Sequence, residues 1–308
     1  MKTNAIILFL FLIVTCKVSA QRDFSDSDIT KLVILGSGNP NPSPLHSGCS
    51  LAIIVFDTPY IIDFGPGLVR KAAAMSPRYG GKIKGLTVKN IEHAFLTHLH
   101  SDHTAGYPDL ILTPWVMGRD KPLEVYGPEG INKMTNNILE AYEADIRYRV
   151  DGSEPANNQG WRVNSHEFLQ EGVIYKDENV KVEAFPVLHG TWPNAWGFRF
   201  TTPDKTIVIS GDTAPSDKVV EYAKDADILV HEVYSKKGFD NKDETWKNYH
   251  SEHHTSTYEL ASLAAKINPK LIVLYHILFW GASEQDLLDE ISSQYFGKVI
   301  VGRDLDIY

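Results

Sequence analysis

Short apolar runs rich in β-branched residues recur at residues 31–35, 50–56, 60–62, 91–96, 123–126, 180–187, 197–201, 206–209, 228–233, 271–275 and 298–301. Each is bounded by turn-forming residues, so each reads as a strand. Apolar positions spaced three and four apart predict helices over 68–75, 131–144, 216–224, 257–267 and 284–295. Two of these carry start signals, Ser256 with Glu259 and Ser283 with Asp286. In each pair a hydroxyl can accept from an amide three residues on while the acid reaches back. Pro269 lies just past the end of one helix and cannot continue it. Strand-rich stretches alternating with helices describe a layered α/β protein. Residues 145–176 interrupt the pattern; polar and marked by Gly152, Pro155 and Gly160, they predict a long irregular surface insertion facing a substrate.

The chemistry-bearing residues stand at strand ends. Residues 97–106 read THLHSDHTAG, with His98, His100, Asp102 and His103 inside six positions. Residues two apart in extended chain project to the same side, so His98 and His100 can grip one ion. Asp102 and His103 follow where the chain turns toward a helix and can face a second. One ion needs about four ligands, so the cluster alone is incomplete. Open α/β sheets place their sites at the carboxyl ends of strands. Further candidates occupy those ends: Asp63, His189, Asp212 and His276. A lone histidine is more often solvated or satisfied locally, and His46, His93, His166, His250 and His253 are read that way. His231, in mid-strand, reads as a core histidine. The 98–103 cluster resists that reading, because the chain has no histidine-rich bias, with 12 in 308 residues.

The first residues read differently from the rest. Lys2, an apolar run over 5–14, and small residues at Val18-Ser19-Ala20 form the pattern of a secretory signal cleaved before Gln21. The run is too short for a membrane span, which takes about 20 residues. A lipoprotein reading at Cys16 fits less well, with Thr15 before it. The expected organisation is thus a signal over 1–20 and one domain over 21–308, exported to a secreted or periplasmic location, with no membrane span. Removing the leader takes away Lys2 and Lys17 and moves the formal charge from −9 to −11. Such a chain has no general attraction for nucleic acid. Only Cys49 survives, so no internal disulfide can form, and it reads as a buried small hydrophobe.

Two other motifs fail. Gly36 and Gly38 lack a third glycine, and Pro40, Pro42 and Pro44 prevent a following helix, so there is no dinucleotide fingerprint. Residues 48–52 only approach a serine-hydrolase elbow and enter a strand.

His98-Leu99-His100-Ser101-Asp102-His103 is similar to the HxHxDH signature of the metallo-β-lactamase fold superfamily, and Asp63, His189, Asp212 and His276 resemble its other site positions in order. The resemblance spans nearly the whole chain after the leader. It implies a four-layer αββα sandwich with a two-metal cleft at one edge. One Zn2+ would take His98, His100 and His189, the other Asp102, His103 and His276, with Asp212 bridging and Asp63 orienting ligands from behind. Mn2+ or Fe2+ are alternative occupants. Histidine at 100, where the diiron branch has an acid, argues against redox iron; aspartate at 212, where many β-lactamases have cysteine, suits a dinuclear hydrolase.

Within the superfamily the chain resembles ribonuclease Z and its phosphodiesterase and arylsulfatase-like relatives, through Gly36-Ser37-Gly38, the run from His98 to Leu110, residues 126–130, His231-Glu232 and His254-Thr255. The resemblance implies a relay in which Glu232 orients His254 and His254 protonates the leaving oxygen; a purely structural pair is the alternative. A helix start near His254 disfavours the imidazolium and Glu232 favours it, which predicts a near-neutral balance. Departures are present. The interval from His189 to Asp212 is 23 residues, too short for the arm that grips tRNA in ribonuclease Z, and residues 231–234 read HEVY. The expected activity is metal-assisted hydrolysis, with ions about 3.5–4 Å apart, acting on a small-molecule ester or phosphodiester. Asp102 joins His254 and Glu232 as a candidate catalytic group by helping to hold the attacking water. Trp192, Trp196, Phe279 and Trp280 either wall the pocket or belong to the core. Lactonase, β-lactamase or arylsulfatase activity on the same metals, and a non-catalytic metal-dependent binding protein, are the competing readings. A homodimer is an open alternative.

Overall fold

The computed structural model describes residues 29–308; the signal reading at 1–20 lies outside them. Thirteen strands form two sheets. The first contains β1 (Thr30–Gly36), β2 (Ser50–Val55), β3 (Thr58–Ile62), β4 (His93–Phe95), β5 (Leu123–Gly127) and β6 (Val163–Glu167), side by side in that order. The second contains β7 (Gly172–Lys176), β8 (Lys181–Pro186), β9 (Trp196–Thr201), β10 (Thr206–Ile209), β11 (Ile228–Tyr234), β12 (Leu271–Leu278) and β13 (Val299–Val301), again in sequence order. Both sheets are mixed: β3 to β6 are mutually parallel, as are β10 to β13, and the rest pair antiparallel.

Alternation along each strand explains the layering. Leu32 and Ile34 of β1 face Val182, Phe198, Val230 and Val273 of the other sheet, while Val33 and Leu35 face the helical layer with Leu68, Leu110 and Ile111. In the second sheet Val208, Leu229, Ile272 and Leu274 turn outward onto Leu260, Leu263 and Ile267 of the Thr257–Ile267 helix and onto Leu287 and Ile291. Both faces of each sheet are covered, which is why these strands read as unbroken apolar runs. This is the αββα sandwich that the resemblance implied. Both predicted capping boxes are formed, at Ser256 with Glu259 and Ser283 with Asp286. Residues 305–308 run back along β1, exchanging backbone hydrogen bonds with Leu32 and Ile34, and cover that sheet edge. Among the described residues no helix is long and apolar enough to cross a membrane.

The expected irregular insertion at 145–176 is corrected. The helix predicted over 131–144 breaks at Tyr142 into Ile131–Ala141 and Glu143–Asp151, and β6 and β7 follow. These two strands lie at the ends of opposite sheets, so the segment carries the chain from one to the other. Their edge positions leave them half exposed, which explains the polar composition. The helices Tyr107–Val116, Lys236–Asp240 and Glu244–His253 were also unforeseen. Pro108 and Pro114 hide the first. Pro108 sits in its first turn, where a missing amide costs nothing. Pro114 lies inside the helix and leaves the Leu110 carbonyl without its usual donor. The Arg119 guanidinium supplies one: Nη1 donates to Leu110 O at 3.2 Å and Ile91 O at 3.1 Å, and Nη2 donates to Ile111 O at 2.7 Å and Gly160 O at 2.8 Å. Arg119 is 1% exposed. Burial lowers its pKa to about 10, so it remains charged at neutral pH.

Candidate metal centre

Each candidate side chain is delivered by the carboxyl end of a strand. Asp63 follows β3, residues 98–103 follow β4, His189 follows β8 and Asp212 follows β10. His276 is a correction to the predicted strand end at 275, because β12 continues to Leu278 and His276 lies inside it. Tyr275 pairs with Glu232 and Ile277 with Val233, leaving His276 as the extra residue of a bulge. Its φ of +46° turns the side chain out of the sheet toward the cradle. Asp63, at φ +59°, is likewise left-handed. Such backbone is costly for a non-glycine residue and is retained where the surroundings fix it.

The seven predicted ligand residues converge. His98 Nε2 lies 2.9 Å from His100 Nδ1, and His189 Nε2 lies 3.2 Å from the same atom. On the other side, Asp102 Oδ2 is 3.1 Å from His276 Nε2 and 3.4 Å from His103 Nε2. Asp212 stands between the groups: Oδ1 is 3.5 Å from His103 Nε2, while Oδ2 is 3.4 Å from His276 Nε2 and 4.0 Å from His98 Nε2. Apart from His100 and Asp102, which are partly exposed, these residues are buried.

Three of the five imidazoles are held from behind. His103 Nδ1 donates to Asp63 Oδ2 at 2.8 Å, His189 Nδ1 to the His253 carbonyl at 2.9 Å, and His98 Nδ1 to Thr97 Oγ1 at 3.1 Å. The Thr97 hydroxyl and amide in turn donate to Asp63. Protons on these outer nitrogens leave the inner ones as lone pairs facing the cradle. Thr97 and the His253 carbonyl were not anticipated; Thr97 sits directly before the first histidine of the motif, which is the signal that could have found it.

The residues suit a divalent cation. His103 Nε2 and Asp212 Oδ1 are buried with no hydrogen-bond partner, although native interiors rarely tolerate such atoms. Asp63, Asp102 and Asp212 crowd around His103. Burial works against charge on that ring, but Asp212, Asp102 and Asp63 outweigh it and hold its pKa well above the ordinary value. For Asp212, burial opposes ionisation and the His276, His103 and His98 rings overcome it, holding the carboxyl well below its usual range. Imidazole nitrogens mixed with carboxylate oxygens match borderline cations of the zinc type.

The Glu232–His254 pair differs from expectation. Glu232 Oε2 and His254 Nδ1 are 3.4 Å apart, and neither forms a hydrogen bond. The other Glu232 oxygen accepts from the amides of Thr255 at 2.9 Å and Thr213 at 3.3 Å. Burial pushes His254 down to about 4 and, with Asp212 nearby, pushes Glu232 well up. The predicted near-neutral balance gives way to desolvation. His254 nonetheless joins His189 and Asp212, with one candidate ligand atom from each within 4.8 Å of the others.

Around this centre the remaining readings separate. His46 pairs with Ser37 and His166 bonds Glu124, so these two are satisfied locally; His93 stacks on Tyr60, but its Nδ1 is buried without a hydrogen-bond partner. His231 is a fully buried core histidine. His253 is satisfied locally as well, its Nδ1 donating to the Tyr249 carbonyl at 2.7 Å, while its ring stands edge-on to His189 at 5.2 Å. His250 is corrected: its ring lies 5.7 Å from His254 and its Nδ1 is buried without a hydrogen-bond partner. Trp196 and Phe279 join the cores, while Trp192 packs 4.0 Å from the His100 ring and Trp280 4.4 Å from His250. Cys49 is buried beneath the centre, and burial raises its thiol to about 12.

Gly190, at φ +55°, allows His189 its turn and also gives room: a Cβ there would sit 2.0 Å from the His253 ring. Gly190→Ala is expected to displace His253 and with it the carbonyl that orients His189. Metal stoichiometry by elemental analysis should fall, with metal affinity reduced about 10- to 100-fold, as for other losses of outer support.

An αββα sandwich with a histidine and aspartate cradle at the carboxyl edges of both sheets defines a class, the metal-dependent hydrolases of metallo-β-lactamase fold. The chain belongs to that superfamily, since the family model described as "Beta-lactamase superfamily domain" matches residues 58–277. It is 28% identical over 280 residues to a ribonuclease Z of Mycobacterium marinum, covering 89% of this chain and 96% of that one. Among solved structures it resembles the metallo-β-lactamase fold protein YhfI from Bacillus subtilis, with TM-score 0.70, 15% identity, and coverage of 91% and 99% of the two chains. It also resembles the short form of human tRNase Z, with TM-score 0.65, 22% identity, and coverage of 90% and 98%. The chain is thus a hydrolase of this superfamily related to ribonuclease Z, in a fold that implies a divalent metal.

Proposed function

We propose that the protein is an exported dinuclear zinc hydrolase acting on a small phosphodiester or ester. The observation that carries this reading is the position of Asp212, whose Oδ2 lies between His276 of one group at 3.4 Å and His98 of the other at 4.0 Å, while Oδ1 faces His103 at 3.5 Å. His98, His100 and His189 would hold one ion, Asp102, His103 and His276 the second, and Asp212 both. A pair of bound zinc ions supplies Lewis-acid activation of a substrate oxygen and of water. The chain's own residues do the rest. Asp63 and Thr97 fix the rings from behind, Asp102 and Asp212 would offer carboxylate oxygens to orient water, and His254, which burial keeps neutral in the free protein, would take up a proton as the negative charge of a bound diester raises its pKa and deliver it to the leaving oxygen. Glu232 positions His254 by tying together the backbone at Thr213 and Thr255. The interval between His189 and Asp212 is taken up by the β9–β10 hairpin, joined at 202–205. That compactness supports a substrate smaller than a folded RNA, and the leader at 1–20 supports export.

The test is elemental analysis of the secreted protein together with a panel of bis-p-nitrophenyl phosphate, an aryl sulfate, an acyl lactone and a chromogenic cephalosporin. The diester is expected to turn over fastest. His254→Ala should retain metal and slow turnover by roughly 10²-fold or more, most for esters with poor leaving groups. Equal slowing across leaving groups would remove the proton-donor role.

A further inference from the structure

We infer that Trp246 and Tyr249 of the Glu244–His253 helix, together with Trp192, form a stacking wall that selects a planar aromatic group on the substrate. This deepens, and rests on, the reading of the cradle as an ester hydrolase centre. The rings run without interruption from the cradle to solvent. His253 stands edge-on to His189 at 5.2 Å, Tyr249 stacks on His253 at 4.0 Å and 19°, and Trp246 meets Tyr249 edge-on at 5.8 Å while stacking on His250 at 5.5 Å. Trp192 packs 4.0 Å from the His100 ring and 6.2 Å from His98.

Trp246 and Tyr249 are 52% and 40% exposed, so the large aromatic side chains of this helix keep ring surface open to solvent instead of entering the core. Burial, with Asp212 and Asp102, raises the Tyr249 phenol, which places that group in the field of the cradle carboxylates. Exposed ring faces bordering a polar centre suit a partner with a flat face, because stacked rings gain attraction beyond their buried area. Asp243, Glu244 and Glu252 outnumber Lys242 and Lys247 on or beside the same helix, Lys247 is paired with Glu244, and the chain is acidic overall, so a polyanion is disfavoured. The occupant is therefore the aryl group of a small ester.

Phenylphosphonate and methylphosphonate, titrated into the zinc-loaded protein and followed by calorimetry and tryptophan fluorescence, test this without turnover. The phenyl compound is expected to bind about five- to tenfold more tightly. In a Trp246→Leu/Tyr249→Leu variant that ratio should fall to about one, whereas Trp246→Phe/Tyr249→Phe, which keeps the ring faces, should preserve it. Equal affinities in the wild type, or a preference that survives in the leucine variant, overturn the stacking wall while leaving the hydrolase reading intact. A protein that takes up no zinc overturns the hydrolase reading and the inference with it.

Discussion

Replacing Asp212 with alanine is expected to empty the cradle and reduce turnover by about a thousandfold or more. The basis is its place between the two imidazole groups, where both oxygens are engaged and one is buried without another partner. A bound metal acting as a Lewis acid supplies several kcal/mol of transition-state charge stabilisation, which would be lost with the ions, and each 1.4 kcal/mol or so is a factor of ten in rate. Elemental analysis should show the loss directly. The same variant makes a thermal prediction. If the cradle takes zinc as proposed, binding to the native state alone would stabilise wild type by about 2.7 kcal/mol at a hundredfold excess over Kd, so its melting temperature should rise on zinc addition and fall with a chelator. The variant's melting temperature should respond to neither. A variant that still loads two ions would show that Asp212 is not shared.

Arg119→Met is expected to destabilise the fold by about 3–5 kcal/mol without touching the cradle, because it strips donors from carbonyls in a water-free interior. Four carbonyls lose a partner: Ile91, Leu110, Ile111 and Gly160. Urea denaturation measures the effect. The role assigned to Pro114 makes this sharper. In the Arg119→Met background, Pro114→Ala restores an amide able to reach Leu110 and should recover about 1 kcal/mol, a gain that should not appear when Arg119 is present. Additive effects in this cycle would mean the guanidinium does not substitute for the missing amide.

The sequence pattern revealed the layers because most strands are covered on both faces and so read as apolar runs. β6 and β7 escaped because edge strands bury little, and polar residues such as Asn164 and His166 satisfy them. The Tyr107–Val116 helix escaped because two prolines outweigh its apolar spacing when each is read alone; the compensating guanidinium lies several residues beyond. In the site, the cluster of metal-capable residues was legible because such residues repeat at strand ends, and the structure brings them together. The bulge that aims His276 was not, since nothing in Tyr275-His276-Ile277 announces a left-handed backbone. The charge balance of His254 was also illegible, because desolvation depends on everything packed around it and sequence supplies only its covalent neighbours.

The cradle draws Asp63 and residues 98–103 from the first sheet and His189, Asp212 and His276 from the second. On the dinuclear reading proposed above, a bound ion pair would rivet both halves of the molecule together. No half-folded chain can assemble it, since its contacts join segments as distant as Asp102 and His276. The occupied protein should consequently be slow to open as well as hard to melt, and stripping the ions should shorten its lifetime against proteases by accelerating separation of the halves.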